Sequence, residues 1–104
     1  MLIEKQGFKE NDVVSLRLSS GEELIGKFVS EDDKSIKLEK VLMLAMSQKG
    51  IGMAPYMITV NPDSKINLNK NQIIVVAESD KEIASQYILQ TTGIQPVSSA
   101  SFMK

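Results

Sequence analysis

Two adjacent carboxylates, Asp32 and Asp33, sit in the run Glu31-Asp32-Asp33-Lys34. Paired acids can work as acid and base, or hold a metal ion. Either role needs company, and no nucleophile or partner base is spaced around them. Solvation in a charged turn accounts for the pair without chemistry. The chain contains no His and no Cys. Imidazole bases, thiolate nucleophiles and Cys-based zinc sites are therefore excluded. Gly50 and Gly52 lack the Lys-Ser/Thr pair and the helix start of a phosphate loop. No catalytic residue, metal site or cofactor is expected, and an enzyme is the last of the readings.

Binding is the class that remains. Met43, Met46, Met53 and Met57 could form an adaptable surface, although core packing or subunit contact is the favoured account. Tyr56 could stack on a base, or pack with its hydroxyl at the surface. With 12 basic and 13 acidic residues the net charge is -1. That is not the polybasic footprint of a strong sequence-independent nucleic-acid binder, and it leaves local recognition of a few nucleotides open. No apolar run reaches the roughly 18 residues of a membrane span. The opening Met1 to Gly7 carries Glu4 and no long apolar stretch, so no secretory signal is read and a cytoplasmic location is expected.

The 104 residues, 42% hydrophobic and 24% charged, suit one globular domain covering residues 1–104. Val14, Leu16 and Leu18 alternate with polar residues and predict a strand; Leu24 to Val29 predicts a second, joined to it through Ser19-Ser20-Gly21-Glu22. A third begins at Ser35. Ile36 and Leu38 share one face, and from Val41 to Met46 both faces are apolar, so something must cover its second half. Ser47 to Gly52 reads as a loop tip, and Tyr56 to Val60 as a fourth strand interrupted at Asn61-Pro62-Asp63-Ser64 and resumed over Lys65 to Leu68. Asn69-Lys70-Asn71-Gln72 is a tight turn in which an Asn could be left-handed. Ile73-Ile74-Val75-Val76 is the fifth strand. Ser79 and Glu82 form a capping box for a helix over about 80–92, ended by Gly93 and Pro96, with Ile83, Ala84, Tyr87 and Ile88 on its buried face. Residues 97–104 read as a loose tail.

Five short strands, the third long and apolar, predict a mainly β protein: a small, strongly bent antiparallel barrel with a C-terminal α-helix. The residues also carry a family resemblance over about 13–77. Val14 to Gly26, with Gly21 and Gly26 five positions apart, resembles the opening of the first Sm motif. Asp33 followed by Ile36-Lys37-Leu38 resembles its close, one residue further on than usual. Leu68 to Val76 resembles the second Sm motif. The chain is similar to the divergent Sm-like proteins attributed to cyanophage. The helix departs from the pattern, since Sm proteins typically carry one before the first strand.

The resemblance implies an Sm-like (Lsm) fold, assembly into rings, and binding of short single-stranded RNA around the pore. The family's base-reading Asn maps to Lys37, its stacking side chain to Ser35, and the Arg-Gly of the second motif to Asn69 and Lys70. Ser35, Lys37, Asn69 and Lys70 are thus the candidate RNA contacts, with neither the stacking ring nor the reading amide in place. A solvent-facing place beside Glu39 is the plainer reading of Lys37, and turn geometry alone suffices for Asn69 and Asn71. The uncharged, β-prone run Ile73, Ile74, Val75 and Val76 would be hazardous as a bare edge. A second copy is its expected cover, contributing the fourth strand with Tyr56 and Ile58. The implied assembly is a cyclic homo-oligomer of about five to seven subunits, without a membrane partner. A competing reading keeps the ring as a structural scaffold and loses the RNA.

Overall fold

The computed structural model describes Leu2, Ile3 and residues 7–92; the expected helix stop at Gly93 and Pro96 and the tail at 97–104 lie outside the described residues. The protein is mainly antiparallel β with a C-terminal helix. The elements are β1 (Leu2–Ile3), β2 (Val13–Leu18), β3 (Glu23–Glu31), β4 (Ser35–Ser47), β5 (Gly50–Pro55), β6 (Lys65–Asn69), a 3-10 turn (Lys70–Gln72), β7 (Ile73–Glu78) and α1 (Lys81–Thr92). The sheet runs β1-β7-β2-β3-β4-β5, with β6 also on β4.

Among the described residues, seven strands replace the expected five. One addition is β1, which runs parallel to β7 with Leu2 opposite Val75 and Ile3 opposite Val76. The other comes from the region expected to hold the fourth strand. Tyr56 to Val60 is not a strand; β5 and β6 flank it instead. Gly50 and Gly52, expected in a loop tip, belong to β5, and the chain reverses at Gln48-Lys49. Gly50 closes that reversal at φ 114°, a conformation costly for a residue with a Cβ.

β4 organises the molecule. Its first half pairs with β6, from Ser35 opposite Asn69 to Glu39 opposite Lys65. Its second half pairs with β5, from Leu42 opposite Pro55 to Ser47 opposite Gly50. Between them Lys40 takes φ 54°. On the β3 side Ile25 faces Leu42 and Lys27 faces Glu39, so Lys40 and Val41 together oppose Gly26. This is a β-bulge, and the extra residue reverses the alternation. Ile36 and Leu38 before it, and Val41 and Met43 after it, face the same core.

That core joins Val14, Leu16, Leu18, Leu24, Phe28, Ile36, Leu38, Val41, Leu68, Ile73 and Val76. Its members come from β2, β3, β4, β6 and β7, so the sheet curls around one interior. The path nevertheless stays open between β6 and β7, which are joined by the 3-10 turn rather than by a ladder. The opposite face of the sheet carries a second core of Ile25, Leu42 and Tyr87, with Val13, Leu44, Met53 and Ile83 against it. Helix α1 is therefore the cover that the apolar second half of β4 demands.

The start of α1 differs from the expected capping box. Asp80 fills the cap: its carbonyl accepts from the Ala84 amide at 2.8 Å, and its carboxylate from the Glu82 amide at 3.1 Å. Ser79 is buried and engaged elsewhere, its hydroxyl 2.7 Å from that of Ser15. The expected buried face is only partly so. Tyr87 is fully buried and Ile83 and Ala84 are half-buried, but Ile88 is 40% exposed.

Candidate nucleic-acid interface

Ser35, Lys37, Asn69 and Lys70 meet at one end of the β4–β6 ladder. Ser35 stands opposite Asn69, and Lys37 lies between Asn67 of β6 and Ser30 of β3. Alternation turns Ile36 and Leu38 inward, leaving Ser35 and Lys37 on the outer face. The 3-10 turn then places Lys70 against the β3–β4 turn, where its amide donates to the Lys34 carbonyl at 2.8 Å. At its other end, the Gln72 carbonyl accepts from the Ser19 amide at 2.7 Å. One three-residue helix thus touches the turns at both ends of β3. A straight strand of that length would span about 30 Å, so β3 is bent.

The Asn69 carboxamide oxygen accepts from the Asn71 amide at 2.9 Å, so this side chain caps the turn. Asn69 itself has φ -73°. The expected left-handed Asn is absent from this turn; among the described residues, the non-glycine positive φ values fall at Asn11 and Lys40.

The electrostatics are balanced. Lys70 Nζ lies 2.9 Å from Glu31 Oε1, with the two side chains only 16% and 26% exposed. Its charge is already matched inside the chain. Asp32 Oδ1 accepts from the amides of Lys34 and Ser35, both at 2.8 Å. Those two amides hold the Asp32 carboxyl below the usual carboxylate range, helped by the Ser35 hydroxyl and the nearby Lys70 charge. Asp32, Asp33, Lys34 and Ser35 line an open hollow of about 400 Å³. Two carboxylates at its rim oppose a phosphate there. Asp32 therefore serves as the anchor of a turn, and no group of acids suited to a metal ion occurs among the described residues.

The residues expected at a subunit interface divide into two sets. Ile73 and Val76 are 3% and 2% exposed and belong to the core, so their side chains are not available to a partner. Ile74 and Val75 face outward at 49% and 37% exposure. The β7 edge is also not bare, because β1 already pairs with it at Val75 and Val76. Tyr56 packs against the main core, which accounts for it without base stacking. Ile58 is 89% exposed and lies outside any strand.

Sequence reasoning passes over Lys40. The Tyr87 hydroxyl donates to the Lys40 carbonyl at 2.6 Å and lies 3.2 Å from that of Glu39. Burial, with the Glu39 charge adding to it, pushes the Tyr87 hydroxyl well above the ordinary phenol range. Lys40 also lines a hollow of about 170 Å³ with Leu42, Pro55, Pro62, Asp63, Gln90 and Thr91, below the roughly 300 Å³ where ligand sites begin. The signal available in the sequence was the shift of apolar phase between Leu38 and Val41, which requires an extra residue.

No helix among the described residues is long and apolar enough to cross a membrane. In the comparisons with known proteins, no family model matches the chain and no curated protein matches it.

Proposed function

We propose that this chain is an Sm-like module that assembles with copies of itself and engages single-stranded RNA through the face carrying Ser35, Lys37, Asn69 and Lys70. The observation that carries the reading is the pairing of β4 with β6, which gathers these four motif-related residues at one end of the sheet. The core shared by β2, β3, β4, β6 and β7 also favours an Sm-like curl, as does the 3-10 turn at the position of the second motif. No aromatic ring stands at Ser35, so stacking worth about 1–3 kcal/mol per base is missing from that position. Contact is with the RNA backbone, weak at each site and multiplied by the symmetry of the ring.

The Glu31–Lys70 ion pair and the Asp32–Asp33 turn favour a second reading, an Sm-like ring that serves as a scaffold and binds no RNA. The deciding experiment titrates short U-rich, A-rich and C-rich RNAs at low and physiological salt, with Lys37→Ala alongside. The RNA reading expects weak, salt-sensitive binding with little preference among bases, lowered by Lys37→Ala. Failure of every RNA to bind at low salt removes the RNA reading and favours the scaffold. Tight U-selective binding that survives the substitution places the site elsewhere.

A further inference from the structure

We propose that the outer edge of β7 is an exchangeable strand site, covered within the chain by β1 and opened to the β5 edge of a second copy when β1 leaves. The inference rests on the assembly reading above and adds its regulation. β7 is a six-residue strand, and β1 pairs with only two of its residues, Val75 and Val76. Among the described residues, the remaining length of that edge has no strand against it. Two residues of ladder fix few hydrogen bonds for the chain they order, so β1 is a weak cover. A full strand offered by a neighbour would make more of them.

The neighbour is specified at the other end of the same sheet. Among the described residues, β5 pairs with β4 on one side and with no strand on the other. Its residues Gly50-Ile51-Gly52-Met53-Ala54 carry no charge, and Pro55 stands only at its end. None of the usual devices that blunt a strand edge falls within it. Gly52 faces open space, with nothing nearer to an added Cβ than the Ala45 carbonyl at 3.8 Å. Each copy thus carries one edge, β5, that has no strand beyond it among the described residues and is touched by α1 where the Gln90 carboxamide donates to the Met53 carbonyl at 3.2 Å, and one lightly covered edge, β7. Pairing the two is head-to-tail, which closes into a ring when the rotation allows. Because β1 and the incoming β5 need the same backbone groups of β7, they exclude one another.

The test is sedimentation velocity over a dilution series on the full chain, on a variant lacking residues 1–6, and on Ile3→Pro. The last keeps the chain length and removes a residue suited to a strand. A cover present about nine-tenths of the time lowers apparent association roughly tenfold, so both variants should self-associate about tenfold more tightly than the full chain. Circular dichroism verifies that each is folded, and the proline variant stands in if the truncated one is not. Equal or weaker association in folded variants overturns the cover while leaving the assembly standing. Monomers at every concentration in all three overturn the assembly and the cover together.

Discussion

The Tyr87 hydroxyl is fastened to the Lys40 carbonyl, so helix α1 is anchored on the β4 residue that occupies the left-handed region. The bond satisfies a carbonyl at a bulge, where the ladder cannot.

Removing that hydroxyl should be felt at once. Tyr87→Phe keeps the ring and strips the Lys40 and Glu39 carbonyls of their donor, at a cost of about 1–3 kcal/mol. A domain of this size loses about 4–8 °C of Tm per kcal/mol. Ile88→Asp, on the exposed side of the same helix, should stay within about 0.5 kcal/mol of the parent. Thermal melts of the two variants check the contrast, which is the opposite of what helical periodicity alone implies for Ile88.

Lys40 should be improvable. A left-handed residue with a Cβ costs about 1–2 kcal/mol relative to the right-handed region, and glycine gives back part of that in chain entropy. Lys40→Gly should raise stability by up to about 1 kcal/mol. Lys40→Val, with its branched Cβ, should lower it. Urea unfolding midpoints at an unchanged slope give the order Gly above Lys above Val.

Asp32 gives a pH signature with a definite sign. Its folded carboxyl titrates below the unfolded one, so the turn it anchors contributes stability above about pH 4, lost as pH falls through the folded value. Asp32→Asn should be less stable than the parent at pH 7, and the two should converge in acid. Denaturant titrations at stepped pH between about 2 and 7 measure this.

Glu31 is the residue to change if RNA binding is to be strengthened. Glu31→Gln frees the Lys70 charge from its partner at 2.9 Å. Binding of a short RNA at low salt should tighten, and the slope of log affinity against log salt should steepen by about 0.7, one further phosphate contact to a single strand. An unchanged slope would mean that Lys70 does not reach the RNA.

Much of the β framework was legible because period-2 alternation reports burial directly. Val14, Leu16 and Leu18 face the core as that pattern requires, and β4 begins at Ser35 as expected. The β5 region misled for a local reason. Glycine usually marks a break, yet Gly50 is the turn residue and Gly52 sits on an open edge where no side chain is needed. Tyr56 to Val60 has good strand formers, but Tyr56 is drawn into the main core and Ile58 pairs with nothing in the sheet. Ser79 looked like a cap because it stands three residues before Glu82. Its hydroxyl pairs with Ser15 across the β2–β7 seam, and Asp80, one residue on, caps instead. At the candidate site, motif spacing named four positions that the β4–β6 pairing places at one end of the sheet, but the Glu31–Lys70 pair depends on the 3-10 turn and has no trace in local pattern.

The pairing of β2 with β7 sets an order of events in folding. Ser15 and Ser79 are 64 positions apart, whereas β2–β3 and β4–β5 are hairpins that close locally. The hairpins can form in microseconds, but the seam must wait for a long loop to close, which slows the whole chain. Until then the outer side of β2 and the uncharged run Ile73 to Val76 are both exposed. Refolding at high concentration should therefore lose chains to aggregation before the seam closes, and the yield should rise on dilution.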